Sequence, residues 1–62
     1  MVAEHIAEVW VQRYSNGSEC DVIVRYRDRE MSIRCRDYRQ ALQWARIECK
    51  VYNVAHGFTV ET

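Results

Sequence analysis

Between Val9 and Val24 the chain reads VWVQRYSNGSECDVIV, and this stretch decides the fold. Asn16-Gly17 is the preferred centre of a two-residue type I′ hairpin turn, because both central positions need a positive φ. With that turn in place Ser15 faces Ser18, and the register of the whole hairpin follows. Val11 then faces Val22, Val9 faces Val24 and Ala7 faces Tyr26, all on one side. On the other side Gln12 meets Asp21, Trp10 meets Ile23 and Glu8 meets Arg25. One side is apolar and the other mixed, the pattern of an antiparallel sheet with a single buried face.

Working outward, the next turn is expected at Asp28-Arg29, flanked by Arg27 and Glu30. It brings Tyr26 to Met31, Val24 to Ile33 and Val22 to Cys35, on the face that the first hairpin already made apolar. The opposite face then pairs Arg27 with Glu30, Arg25 with Ser32, Ile23 with Arg34 and Asp21 with Arg36. A slip of one residue in either hairpin would send these apolar sets to opposite faces. Two independently placed turns agree, which predicts a three-stranded antiparallel meander with strands at about 5–14, 19–27 and 30–36.

A helix follows at about 38–54. Asp37 stands three residues before Gln40, a variant of the capping box. Tyr38, Ala41, Leu42, Ala45, Cys49 and Tyr52 recur at helical spacing and form one stripe, expected to lie on the apolar face of the sheet. Gly57 is the expected stop, with Asn53 an earlier candidate. Phe58-Thr59-Val60-Glu61 alternates as a short strand at about 58–61, expected to run parallel to the third. The reading is a single α+β domain over residues 1–62, in the order β-β-β-α-β.

Composition narrows the function classes. Sixty-two residues with 48% hydrophobic content and no proline make one ordered domain, small enough to bury only about 60% of its unfolded surface. Nine basic residues balance nine acidic ones, so net charge drives no attraction to nucleic acid or membrane. No basic patch precedes an apolar run at the N-terminus, and no apolar run approaches the roughly 20 residues that span a bilayer. The odd cysteine count (Cys20, Cys35 and Cys49) points to a reducing compartment, hence the cytoplasm. Their spacing matches no zinc pattern, and Cys20 and Cys35 are expected as diagonal neighbours about 7–8 Å apart, beyond disulfide reach. They read as buried free thiols, and no metal or cofactor is expected. His5 and His56 have no acid and nucleophile grouped with them, and the only glycines, Gly17 and Gly57, build no phosphate loop. Enzymatic activity is therefore not expected.

Two surfaces remain for a partner. The outer sheet face gathers Trp10, Arg13, Tyr14, Arg25, Arg34 and Arg36, a set suited to stacking bases and holding phosphates. Three strands followed by one helix also resemble a family of plant DNA-binding domains that read the major groove from their sheet; the resemblance is of element order and carries no residues over. Against this reading, Glu8, Glu30 and Asp21 are expected opposite Arg25, Arg27 and Arg36, leaving Arg34 alone beside Ile23 and near Trp10. The second surface is a helix line of Trp44, Ile47 and Val51, displaced from the inner stripe. Trp44 and Val51 could instead cover the fourth strand through Phe58 or Val60, but Ile47 lies almost opposite the stripe. The expected function is a small non-enzymatic protein-interaction module, a homodimer or a docking domain, using Trp44, Ile47, Val51, Trp10, Ile23 and Arg34. The alternative is nucleic-acid binding through the outer face.

Overall fold

The computed structural model describes residues 7–15 and 17–62. The expected parts played by His5 and Asn16 lie outside the described residues. The elements are β1 (Glu8–Arg13), β2 (Cys20–Tyr26), β3 (Arg29–Cys35), α1 (Tyr38–Val51) and β4 (Thr59–Glu61). They form a four-stranded mixed sheet in the order β3-β2-β1-β4, with α1 on one face.

The first hairpin has the register that the Asn-Gly turn implies: Glu8 with Arg25, Val9 with Val24, Trp10 with Ile23 and Val11 with Val22. The second differs from expectation by two residues. Its turn is Arg27-Asp28, closed by Tyr26 and Arg29, so that Val24 meets Met31, Val22 meets Ile33 and Asp21 meets Arg34. Arg27 has φ 60° and Asp28 does not share the positive sign, the pattern of a type II′ turn. Because the side-chain period of a strand is two, the shift keeps every residue on its expected face. It changes the partners instead. Arg25 rather than Arg27 faces Glu30, and Arg34 rather than Arg36 faces Asp21. Cys20 and Cys35 become direct rather than diagonal neighbours.

The core is made of small side chains. Val9, Val11, Cys20, Val22, Val24 and Cys35 from the sheet meet Ala41 and Ala45 of α1, all at most 4% exposed. Alanine at the contact lets the helix sit close to the sheet, and the larger Tyr38, Cys49, Tyr52, Val54 and Phe58 close the margins. The β-branched valines suit the pleated surface and the alanines suit the helix, so local preference and packing agree.

Both helix ends are capped through side chain and backbone. The Gln40 amide donates to Asp37 Oδ1 at 2.8 Å, and the Arg36 amide donates to Gln40 Oε1 at 2.8 Å. This is the capping box displaced by one residue, since Gln40 reaches Arg36 rather than the amide of Asp37 itself. At the other end Asn53, not Gly57, is the stop. It takes φ 56°, its N–H reaches the Lys50 carbonyl at 3.3 Å, and the Val54 N–H reaches the Cys49 carbonyl at 2.8 Å. These two bonds make a Schellman motif. The helix therefore ends at Val51 rather than near 54.

The fourth strand also departs from expectation. It pairs in parallel with β1, through Trp10–Thr59, Val11–Val60 and Gln12–Glu61, and not with β3. The segment after α1 crosses the apolar face, where Val54 and Phe58 pack against the core, and so arrives at the far side of β1. The consequence for function is direct: among the described residues β3 is left as an edge.

Candidate protein-interaction surface

On the outer face, which no helix covers, the arginines are engaged. The Arg25 guanidinium lies 5.3 Å from the Trp10 ring centre and its Nη2 is 3.0 Å from Glu30 Oε1. Arg34, expected to stand alone, is the most heavily partnered of the sheet arginines. Its Nε bonds Asp21 Oδ1 at 2.5 Å, its Nη1 reaches Glu19 Oε1 at 3.4 Å, and its guanidinium lies 5.9 Å from the Tyr14 ring centre. The Tyr14 hydroxyl donates to the other oxygen of Asp21 at 2.7 Å. Partial burial alone would raise the Asp21 carboxyl, but the bonds from Tyr14 and Arg34 and the guanidinium charge outweigh it, so its pKa lies below the ordinary value. The same contacts raise Tyr14 and Arg34, Tyr14 first through its bond to Asp21. Arg13 stacks on Tyr38 at 4.4 Å, on the helix side of the molecule. The register thus places Glu30 against Arg25 and Asp21 against Arg34, with Glu19 a second acid beside Arg34.

Trp10 and Ile23 are half-buried on this face, directly opposite one another. The Arg25 guanidinium covers Trp10 in part, a common arrangement for isolated apolar residues on an outer face.

The helix line is more open. Trp44 is 38%, Ile47 48% and Val51 66% exposed. Two contacts orient this flank. Tyr38, on the inner stripe, meets Arg13 of β1, while Gln40, on the same flank as Trp44, accepts from the amide of Arg36 just after β3. At 3.6 residues per turn, Gln40, Trp44 and Val51 share one flank of α1, and Ile47 lies nearer the helix face opposite the sheet.

Met31 belongs to the same region. It lies on the inner face of β3, opposite Val24, yet is 47% exposed because α1 sits over β1 and β2. The sequence reading placed Met31 in the core; only the position of β4 shows it to be beside an open edge. Exposed Met31 and half-buried Ile33 border the unpaired side of β3, and Trp44, Ile47 and Val51 are the exposed large apolar residues of α1.

Chemistry offers little else. Cys20 and Cys35 are buried free thiols and Cys49 is half-buried. Burial pushes the Cys35 thiol up, with smaller contributions from Cys20, Asp21 and Asp37; burial, then Glu48, does the same for Cys49. Among the described residues no group of three His, Cys, Asp or Glu is placed to hold a metal ion, and no helix is long and apolar enough to cross a membrane. No known protein family, curated protein or solved structure matches the chain.

Proposed function

We propose that the protein is a non-catalytic protein-interaction module whose working surface is the β3 side of the molecule. The observation that carries this is the adjacency of apolar exposure and open backbone. Trp44, Ile47, Val51 and Met31 are each more than a third exposed, and Met31 lies on the one long strand that lacks a second neighbour among the described residues. Tryptophan and methionine are enriched at interface centres, and an unpaired strand offers directional hydrogen bonds besides. Trp10 and Ile23, in the middle of the outer face, drop to a secondary place, whereas Arg34 lies on β3 itself and keeps its side chain exposed while it bonds Asp21 and Glu19. Free buried thiols support a reducing compartment, and the cytoplasm is the proposed location.

Ile47→Glu tests this reading. Ile47 is 48% exposed, so the variant should stay folded, with a thermal midpoint within a few degrees of the parent. It should weaken association measured by sedimentation at least tenfold, because the charge enters a desolvated contact. Unfolding of the variant would place Ile47 in the core, and unchanged association would move the working surface elsewhere.

A further inference from the structure

Resting on that reading, we propose that the occupant of the surface is a second copy of this chain, joined by antiparallel pairing of β3 with β3 about Ser32. The two edges of the sheet are unequal. β4 is three residues long, a short edge that offers little to pair with, whereas β3 runs for seven residues without proline. A two-residue turn is closed by a pair that exchanges both backbone hydrogen bonds, here Tyr26 and Arg29. Arg29, Met31, Ile33 and Cys35 then bond to β2, and Glu30, Ser32 and Arg34 turn their N–H and C=O groups outward.

The sequence of this edge is self-complementary. With Ser32 on the two-fold axis, Glu30 faces the partner subunit's Arg34 on the outer side. Met31 faces the partner subunit's Ile33 on the inner side. Each of these pairs occurs twice by symmetry, so one residue choice is counted two times in the interface. The register uses all seven residues of the strand, and it seats the outward-turned backbone groups of Glu30, Ser32 and Arg34 against their own kind. Opposite charges across an antiparallel pair are favourable, and like charges are not.

The same axis satisfies the helix. A two-fold that joins antiparallel edges into one sheet stands perpendicular to it, so both helices fall on the same face. The flank of each helix that carries Trp44 and Val51 then lies on the same face as its symmetry mate, with the paired Met31 and Ile33 residues between them. One operation therefore covers the open edge and the exposed methionine together and brings the two Trp44 flanks to one side of the joined sheet.

The experiment is a charge exchange read by sedimentation and native mass spectrometry. The parent should sediment at twice its 7.4 kDa chain mass. Glu30→Arg and Arg34→Glu should each weaken self-association tenfold or more, because each homodimer then opposes like charges at both symmetry-related positions. Mixed in equal amounts, the two variants should recover a one-to-one heterodimer, since every pair is then opposite in sign. Thermal melts check that each remains folded; the lost Arg25–Glu30 pair is exposed and contributes little. Should Arg34→Glu fail to fold for want of its bond to Asp21, Ser32→Pro takes its place. Proline there removes an outward N–H without touching the bonds to β2, and it should give a folded monomer. A parent that stays monomeric at millimolar concentration overturns the second-copy inference, as does a mixture that recovers no heterodimer. Dimerisation abolished by Ile47→Glu but indifferent to the charge exchange and to Ser32→Pro would overturn the strand pairing while leaving the interaction surface in place.

Discussion

Asp21 shows how one carboxylate organises the outer face. It accepts from the Tyr14 hydroxyl on one oxygen and from Arg34 on the other, with its side chain only 13% exposed. Its pKa is depressed in the folded chain, so its stabilising contribution is complete above the ordinary carboxylate value and is lost as pH falls through the lower, folded value. Tyr14→Phe removes one of the two donors. The Asp21 pKa, followed by its carbon resonance during a titration, should rise toward 3.8, and acid unfolding should begin at a higher pH. An unmoved Asp21 pKa would mean that Arg34 alone holds it. The thiols give a second check at this scale. Cys20 and Cys35 are at most 2% exposed and burial raises the Cys35 pKa, so neither should react with a thiol reagent before unfolding. Fast labelling of Cys35 in the native protein would contradict the packing described.

At the scale of elements, the helix owes its start to Asp37. Asp37→Ala leaves the Gln40 amide without its acceptor and should cost about 0.5–2 kcal/mol in chemical denaturation. An unchanged midpoint would mean that water replaces the cap without loss. This element was legible in the sequence, because a capping residue and an apolar stripe are local signals. The first hairpin was legible for the same reason, its Asn-Gly turn setting register over six paired positions. The second turn was not, because Tyr26-Arg27-Asp28-Arg29 contains no glycine or asparagine to mark its centre. A two-residue shift leaves the apolar alternation unchanged, so pattern alone could not separate the two registers. Only the ion pairs distinguish them, Arg25 with Glu30 and Asp21 with Arg34 in place of Arg27 with Glu30 and Asp21 with Arg36. The helix stop was ambiguous between Asn53 and Gly57, both of which take positive φ; the Schellman bonds form at the first.

At the scale of the molecule, the placement of β4 decides which surface is open, and nothing local encodes it. Three residues of alternating pattern fit either edge, and what selects β1 is the burial of Val54 and Phe58 on the way. The helix line of Trp44, Ile47 and Val51 was readable from spacing. Its neighbour across the cleft was not, because Met31 looked like core until β3 became the edge. A core of valine, alanine and cysteine is thin, and the proposed association would add burial that one copy lacks. Stability should accordingly depend on protein concentration, with the thermal midpoint rising as the chain is concentrated and Ile47→Glu removing that dependence.

The most direct measurement is amide hydrogen exchange at Glu30, Ser32 and Arg34, followed as protein concentration is raised. These are the backbone groups that point away from β2. The account predicts that their exchange slows at least tenfold between dilute and concentrated protein, in step with shifts at Met31, Ile47 and Val51, while Trp10 and Ile23 hold steady. Fast exchange at all three amides in concentrated protein, with concentration-dependent protection at Trp10 and Ile23 instead, would contradict it and move the interface to the outer face of the sheet.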